Sequence, residues 1–154
     1  MKEGDAAKDF KLQDKDGQTY SLKDFKDDFL VLFFYPKDNT PGCTIESKEF
    51  SDAVSEFKKK KIKAIGISGG DNKTKEKFCT AHSLDVLLLS DPDFATSKVY
   101  DSWGEKSFLG KKFKGIFRKT FILNQKHSVI KIFDKVSPKG HTAEVLEFIE
   151  SVSR

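Results

Sequence analysis

Cysteine is scarce in this chain: only Cys43 and Cys79 occur among 154 residues. Two thiols are too few for the disulfide framework of a small secreted domain, and they form no C-x-x-C pair. Histidine is scarce as well, at positions 82, 127 and 141, without H-x-x-x-H spacing. A zinc site has no ligand set to draw on, and no metal or other cofactor is expected. Long hydrophobic runs are missing. The longest, Phe29 to Tyr35, falls far short of the ~20 residues that cross a bilayer, so no membrane partner is expected. The start, Met1-Lys2-Glu3-Gly4-Asp5, leads into no apolar stretch of the kind a secretory signal needs. A cytoplasmic location is the resulting expectation. Strong charge of one sign is lacking too, since 28 basic and 24 acidic residues leave a net +4. The one dense run, Lys58 to Lys61, sits where a helix should end, and cations there suit the helix dipole. Nucleic acid is therefore not an expected partner.

What is present is a globular balance, 37% hydrophobic and 34% charged. The length suits one domain spanning 1–154. Strands and helices alternate. Phe10 to Leu22, with a turn at Lys15-Asp16-Gly17, reads as an N-terminal hairpin. Phe29 to Tyr35 reads as a strand covered on both faces. A helix is predicted from about Thr40 to Lys60, with Phe50, Val54 and Phe57 at helical spacing. Ile62 to Ile67 is a strand. Lys73 to Ser83 is a helix with Thr74, Phe78 and Ala81 on one stripe, and Asp85 to Ser90 is a third core strand. Asp91-Pro92 should open a short helix to about Tyr100. Ile116 to Leu123 and Ser128 to Val136 should pair through the turn Asn124 to His127. A last helix, Thr142 to Val152, should bury Val145, Phe148, Ile149 and Val152. The order implies an α/β fold with a central mixed β-sheet flanked by helices.

One segment carries chemistry. A core strand ends at Pro36, and Lys37, Asp38 and Asn39 form a polar loop. Thr40-Pro41 then has the signature of a helix start, threonine as N-cap and proline at the first helical position. Cys43 falls in the first turn, beyond the C-terminal end of a core strand, where open α/β sheets place their ligands. A free thiol has a pKa near ~8.5, so little of it is ionised at neutral pH. Unpaired N–H groups and the positive end of a helix dipole favour S⁻ over SH. Glycine at 42 removes bulk beside the sulfur. The competing reading is a packing cysteine, since Cys43 shares a helical stripe with Phe50. The polar, turn-rich surroundings favour the reactive one.

Pro36-x-x-x-Thr40-x-x-Cys43 resembles the active-site pattern of the peroxiredoxins. The fuller string Tyr35 to Glu46 is similar to the bacterioferritin-comigratory-protein (PrxQ) branch. So are Trp103-Gly-Glu-Lys106, Gly110-Lys-Lys and Gly115-Ile-Phe-Arg-Lys-Thr-Phe121. The resemblance covers essentially the whole chain. It implies a thioredoxin-like fold and a thiol peroxidase acting on hydrogen peroxide and organic hydroperoxides. Cys43 would be the peroxidatic cysteine, oxidised to a sulfenic acid. Arg118 would hold the thiolate and bond the peroxide, Thr40 would add a hydroxyl, Pro36 would shield the sulfur, and Glu46 would orient Arg118. Trp103 is read as packing or a loop anchor.

Many members of that branch carry a resolving cysteine five positions after the peroxidatic one, where this chain has Lys48. The resemblance therefore suggests an intramolecular Cys43–Cys79 disulfide, reduced by thioredoxin or a similar dithiol protein. A disulfide needs Cα atoms within about 7 Å, so cysteines on two helices would require local unwinding. Lys73, Lys75 and Lys77 should help that helix to loosen by like-charge repulsion. His82 is read as a solvated helix residue. The resemblance also leans to a monomer, because no extended arm follows the last helix.

Other readings stay open at this stage. Cys79 is a plain helix cysteine if an external thiol resolves a one-cysteine enzyme. A cysteine hydrolase would need one of the three histidines brought beside Cys43. A thioredoxin-type disulfide oxidoreductase lacks its C-x-x-C, and a non-enzymatic chaperone or binding module would not need Cys43 at all.

Overall fold

The structure, a computed structural model, describes residues 1–153, and Arg154 lies outside them. The strands β1 (Leu12–Gln13), β2 (Thr19–Tyr20), β3 (Phe29–Phe34), β4 (Ile62–Ser68), β5 (Leu87–Ser90), β8 (Lys119–Asn124) and β9 (Val129–Phe133) form one mixed sheet in the order β2-β1-β5-β4-β3-β8-β9. A separate hairpin joins β6 (Trp103–Phe108) to β7 (Lys111–Ile116). The helices are α1 (Pro41–Asp52), α2 (Val54–Lys59), α3 (Asn72–His82), α4 (Ala95–Val99) and α5 (His141–Val152).

β3 organises both cores because successive side chains of a strand point to opposite faces. Val31 and Phe33 meet Cys43, Phe50, Phe57, Phe78, Val145 and Ile149, contributed by α1, α2, α3 and α5. Leu30, Leu32 and Phe34 meet Phe10, Leu12, Tyr100 and Phe121 on the other face. Fully burying each such side chain stabilises the fold by about 1.5–3 kcal/mol. β3 runs parallel to β4 and antiparallel to β8, and the latter register sets Phe34 opposite Lys119. Arg118 is thereby delivered to the edge where β3 gives way to the Cys43 loop. The expected Ile116 to Leu123 strand is in fact broken there. β7 ends at Ile116, β8 starts at Lys119, and Arg118 lies in the link between the two sheets.

Other expectations also shift. The long helix divides at Ala53, whose N–H is shared between Glu49 O and Phe50 O in a tightened turn. α4 begins at Ala95 rather than at Pro92. Asp91 still serves it, because its carboxylate accepts from the N–H groups of Thr96 and Ser97 at 3.2 and 2.7 Å. α5 buries Val145 and Ile149, whereas Phe148 is half-buried and Val152 exposed. The β8–β9 pair forms around the expected turn, with β9 ending at Phe133. The β6–β7 hairpin is unannounced in the sequence, because its mostly exposed, lysine-rich strands show no apolar alternation.

Candidate active site

Cys43 sits in the first turn of α1. Thr40 is the N-cap in extended geometry, its carbonyl accepting from Thr44 N at 2.8 Å, and Pro41 opens the helix. The Thr40 hydroxyl does not cap the helix as expected. It donates instead to Lys37 O at 2.9 Å and so braces the turn of the preceding loop. Asn39 helps to make that turn, with φ at 62°. Pro36 is half-buried at the end of β3.

The Cys43 sulfur is wholly buried, and Arg118 Nη2 donates to it at 3.3 Å. The same guanidinium donates from Nη1 to Glu46 Oε1 at 2.6 Å. One turn of α1 separates Cys43 from Glu46, so sulfur and carboxylate share a face and Arg118 spans them. Gly42 makes this approach possible, because a Cβ there would stand 3.2 Å from Arg118 Nη2 and 3.3 Å from Pro138 Cγ. Burial pushes the Glu46 carboxyl up to about 7, against the opposing pull of Arg118. Its second oxygen, Oε2, has no hydrogen-bond partner among the described residues, which leaves the ionised form poorly satisfied. Burial also works against the Arg118 charge, but the Cys43 and Glu46 charges prevail and hold its pKa above the ordinary value.

Two further residues, Lys106 and Gly104, could not be picked out as functional from the sequence. Lys106 donates to Ile116 O at 3.0 Å. Burial and Arg118 repulsion pull its pKa down, while the Cys43 charge opposes them, placing a second cation within the field of the sulfur. Gly104 leaves room for the Phe117 ring, which a Cβ would meet at 2.6 Å. That packing seats the residue next to Arg118. Trp103 stacks on Phe94 at 4.2 Å, an anchor as expected. The glycine and lysine of Trp103-Gly-Glu-Lys106 carried the available signal.

Cys79 is a buried free thiol on α3, in the same core cluster as Cys43. Burial raises its pKa. It opens onto a cavity of about 200 Å³ lined by Lys15, Lys63, Leu84 and Leu88 among others, and no residue of the Cys43–Arg118–Glu46 group lines it. The structure thus brings Cys43, Arg118 and Glu46 together, and leaves Cys79 facing elsewhere. The α3 stripe also differs from expectation. Thr74 and Ala81 are exposed, and Lys75, Phe78 and Cys79 are buried. Lys75 does not repel its neighbours, because it is paired with Asp38. His82 is bonded rather than simply solvated, its Nε2 lying 2.8 Å from Asn39 Oδ1.

Comparison with known proteins adds five findings. The AhpC/TSA family pattern matches residues 3–132. The bcp protein of Helicobacter pylori (strain J99) is 44% identical over 144 residues, covering 94% of this chain and 95% of its own. Peroxiredoxin Bcp of Bacillus subtilis (strain 168) is 37% identical over 150 residues, covering 97% and 96%. The bacterioferritin comigratory protein of Xanthomonas campestris, solved in trapped intermediate and ligand complexes bearing on alkyl peroxide reduction, superposes with a TM-score of 0.88 at 34% identity, covering 94% and 91%. Peroxiredoxin Q of the same organism matches as two cysteine-to-serine variants, with TM-scores of 0.87 and 0.86, identities of 33% and 34%, and coverage of 94% and 92% for one and 92% and 90% for the other. The two exchanged cysteines stand 36 positions apart, as do Cys43 and Cys79 here.

Proposed function

This chain belongs to the AhpC/TSA family, in its thioredoxin-like Bcp/PrxQ branch of thiol peroxidases, and we propose on that premise that Cys43 is its peroxidatic and Cys79 its resolving cysteine. The observation that carries the reading is the Arg118 N–H held 3.3 Å from the Cys43 sulfur at a helix N-terminus. The thiolate attacks one peroxide oxygen along the O–O axis. An S–O bond forms, the O–O bond breaks, and the departing oxygen takes a proton and leaves as water or an alcohol. Sulfur is oxidised by two electrons to the sulfenic acid. As negative charge moves from sulfur to the leaving oxygen, Arg118 meets it with fixed donors that stay charged. Glu46 is the positioning residue for that guanidinium. Pro36 and Thr40 shape the loop that shields the sulfur.

The Cys79 thiolate then attacks the Cys43 sulfur and expels water, and a dithiol protein restores both thiols by exchange. The 36-residue spacing shared with the X. campestris variants supports this partner. Thioredoxin is the reductant in this reading. Hydrogen peroxide and organic hydroperoxides are the substrates, the latter in keeping with the X. campestris relative. The protein works as a single-domain cytoplasmic monomer. Cys43→Ser should abolish peroxide turnover. Wild type treated with one equivalent of peroxide should lose two hydrogens by intact mass, and Cys79→Ser should retain oxygen on Cys43. Turnover surviving in Cys43→Ser overturns the nucleophile. A wild type that stops at the sulfenic acid overturns the resolving role.

A further inference from the structure

The most deeply buried ion pair among the described residues takes no part in the peroxide chemistry. The Lys75 side chain is 0% exposed and that of its partner Asp38 1%. Lys75 Nζ donates to Asp38 Oδ2 at 2.9 Å, to Ser68 Oγ at 2.7 Å and to Gly69 O at 2.8 Å. All three ammonium hydrogens are used. Asp38 Oδ1 accepts from Tyr35 OH at 2.7 Å. A buried pair is weak evidence for stability, since apolar residues of similar size often do as well. Its position in the chain is more telling. Asp38 lies in the loop that leads into α1, five residues before Cys43, and Lys75 precedes Cys79 by one turn of α3. Beyond Cys79, His82 holds Asn39 of the same loop at 2.8 Å. The Cys79 helix is fastened to the Cys43 loop on both sides of the thiol.

We propose that the Lys75–Asp38 pair is a latch that holds shut both segments that must open for the Cys43–Cys79 disulfide, and thereby sets the rate of resolution against over-oxidation. The proposal rests on the resolving role given to Cys79. In an α-helix the Cys79 amide bonds to the Lys75 carbonyl. Unwinding α3 at Cys79 therefore frees the Lys75 backbone and draws its ammonium from Asp38, Ser68 and Gly69. Moving the Cys43 turn toward α3 pulls on Asp38 from the other end. One pair spans both openings, so each loosens the other. While the latch is shut, the Cys43 sulfenic acid waits, and a second peroxide can add an oxygen to give the sulfinic acid, releasing water or an alcohol. Lys75 and Asp38 touch neither sulfur, so they are positioning residues.

The test compares wild type with Lys75→Met and with Asp38→Asn/Lys75→Met, in which no charge is stranded. Each protein receives one equivalent of peroxide, is quenched with an alkylating agent, and is read by intact mass over time. Met cannot bond across to the Cys43 loop, so opening no longer breaks a specific tie, and the variants should form the disulfide roughly tenfold faster, about 1.4 kcal/mol off the opening barrier. Over-oxidation should need correspondingly more peroxide. Hydrogen exchange should quicken in α3 and in residues 37–44, and not in β3 or β8. A disulfide rate matching wild type in both variants overturns the latch, as does exchange that rises evenly through the sheet. A wild type that forms no internal disulfide removes the Cys79 reading and the latch together. A wild type that forms it, with unaltered variants, removes the latch alone.

Discussion

Two ion pairs flank the Cys43 turn, one fully and one partly buried, and they are satisfied to different degrees. Lys75 and Asp38 are fully matched, with all three ammonium hydrogens placed and both carboxylate oxygens bonded. Arg118 and Glu46 are not. Glu46 Oε2 lacks a partner among the described residues, and part of the guanidinium is spent on the Cys43 sulfur. The first arrangement resists movement. In the proposed mechanism the second keeps a cation available for charge that is still to develop, which is how a preorganised site accelerates a reaction. On that proposal a cation–carboxylate pair holds a scaffold in one place and serves chemistry in the other, and the number of unmet hydrogen bonds separates the two uses.

The largest effect should come from breaking the unsatisfied pair. Arg118→Met removes the donor aimed at the sulfur. The rate constant for peroxide attack should fall by roughly 10²–10³-fold, the usual cost of deleting one transition-state donor. Stopped-flow measurement of single-turnover oxidation checks this. Stability at pH 6 should change far less, because Glu46, already poised near 7, takes up a proton instead of standing as a bare charge. An unchanged rate would show that Arg118 is a structural cation like Lys75.

A smaller change sharpens the contrast through pH. Burial raises the Glu46 carboxyl to about 7 in the fold, against 4.5 ordinarily. A raised carboxyl means that the folded state holds the proton more tightly. The stability it confers is complete at acid pH, and is lost as pH climbs from the ordinary value through about 7. Between pH 5 and 8 the loss is about 2–3 kcal/mol, at about 1.4 kcal/mol per unit. Glu46→Gln has no such proton to lose. Urea unfolding should show the variant gaining about that much on wild type at pH 8 relative to pH 5. Burial lowers the pKa of His141, which acts in the opposite sense on the acid side, but both proteins share it and it cancels. Peroxide rates should differ by less than about tenfold, because Gln retains an acceptor for Arg118. Parallel pH profiles would mean that Glu46 stays ionised in the fold and that the pair is as complete as its neighbour.

These differences were unevenly legible in the sequence. The Cys43 turn could be read directly, since Thr40-Pro41 and the apolar β3 are local signals. The meeting of Arg118 with Cys43 could not, because it depends on the β3–β8 register and on a break between β7 and β8. Only the family resemblance pointed to it. Lys75 was misread because lysines are rarely buried. Yet Lys75, Phe78, Cys79 and His82 follow helical i, i+3, i+4, i+7 spacing, and taking Thr74, Phe78 and Ala81 as the inward stripe hid the charged one. Gly104 carried no signal beyond the family resemblance, and it is the space that Phe117 fills.

The smallest effect tests the satisfied pair from the side that touches no sulfur. Ser68 is wholly buried, and its hydroxyl accepts from Lys75 Nζ at 2.7 Å while reaching Asp38 Oδ1 at 3.4 Å. Ser68→Ala leaves one ammonium hydrogen unmet but keeps the bonds to Asp38 and Gly69 O, so the charge is never stranded. The cost should be about 1–2 kcal/mol in urea unfolding, the range for one unmade buried bond rather than for a broken ion pair. Peroxide attack should proceed at the wild-type rate, because neither Arg118 nor Cys43 loses a contact. If the alanine is free of cost, Lys75 tolerates an open hydrogen as readily as Glu46 tolerates an open oxygen, and the number of unmet bonds no longer distinguishes scaffold from reactive site.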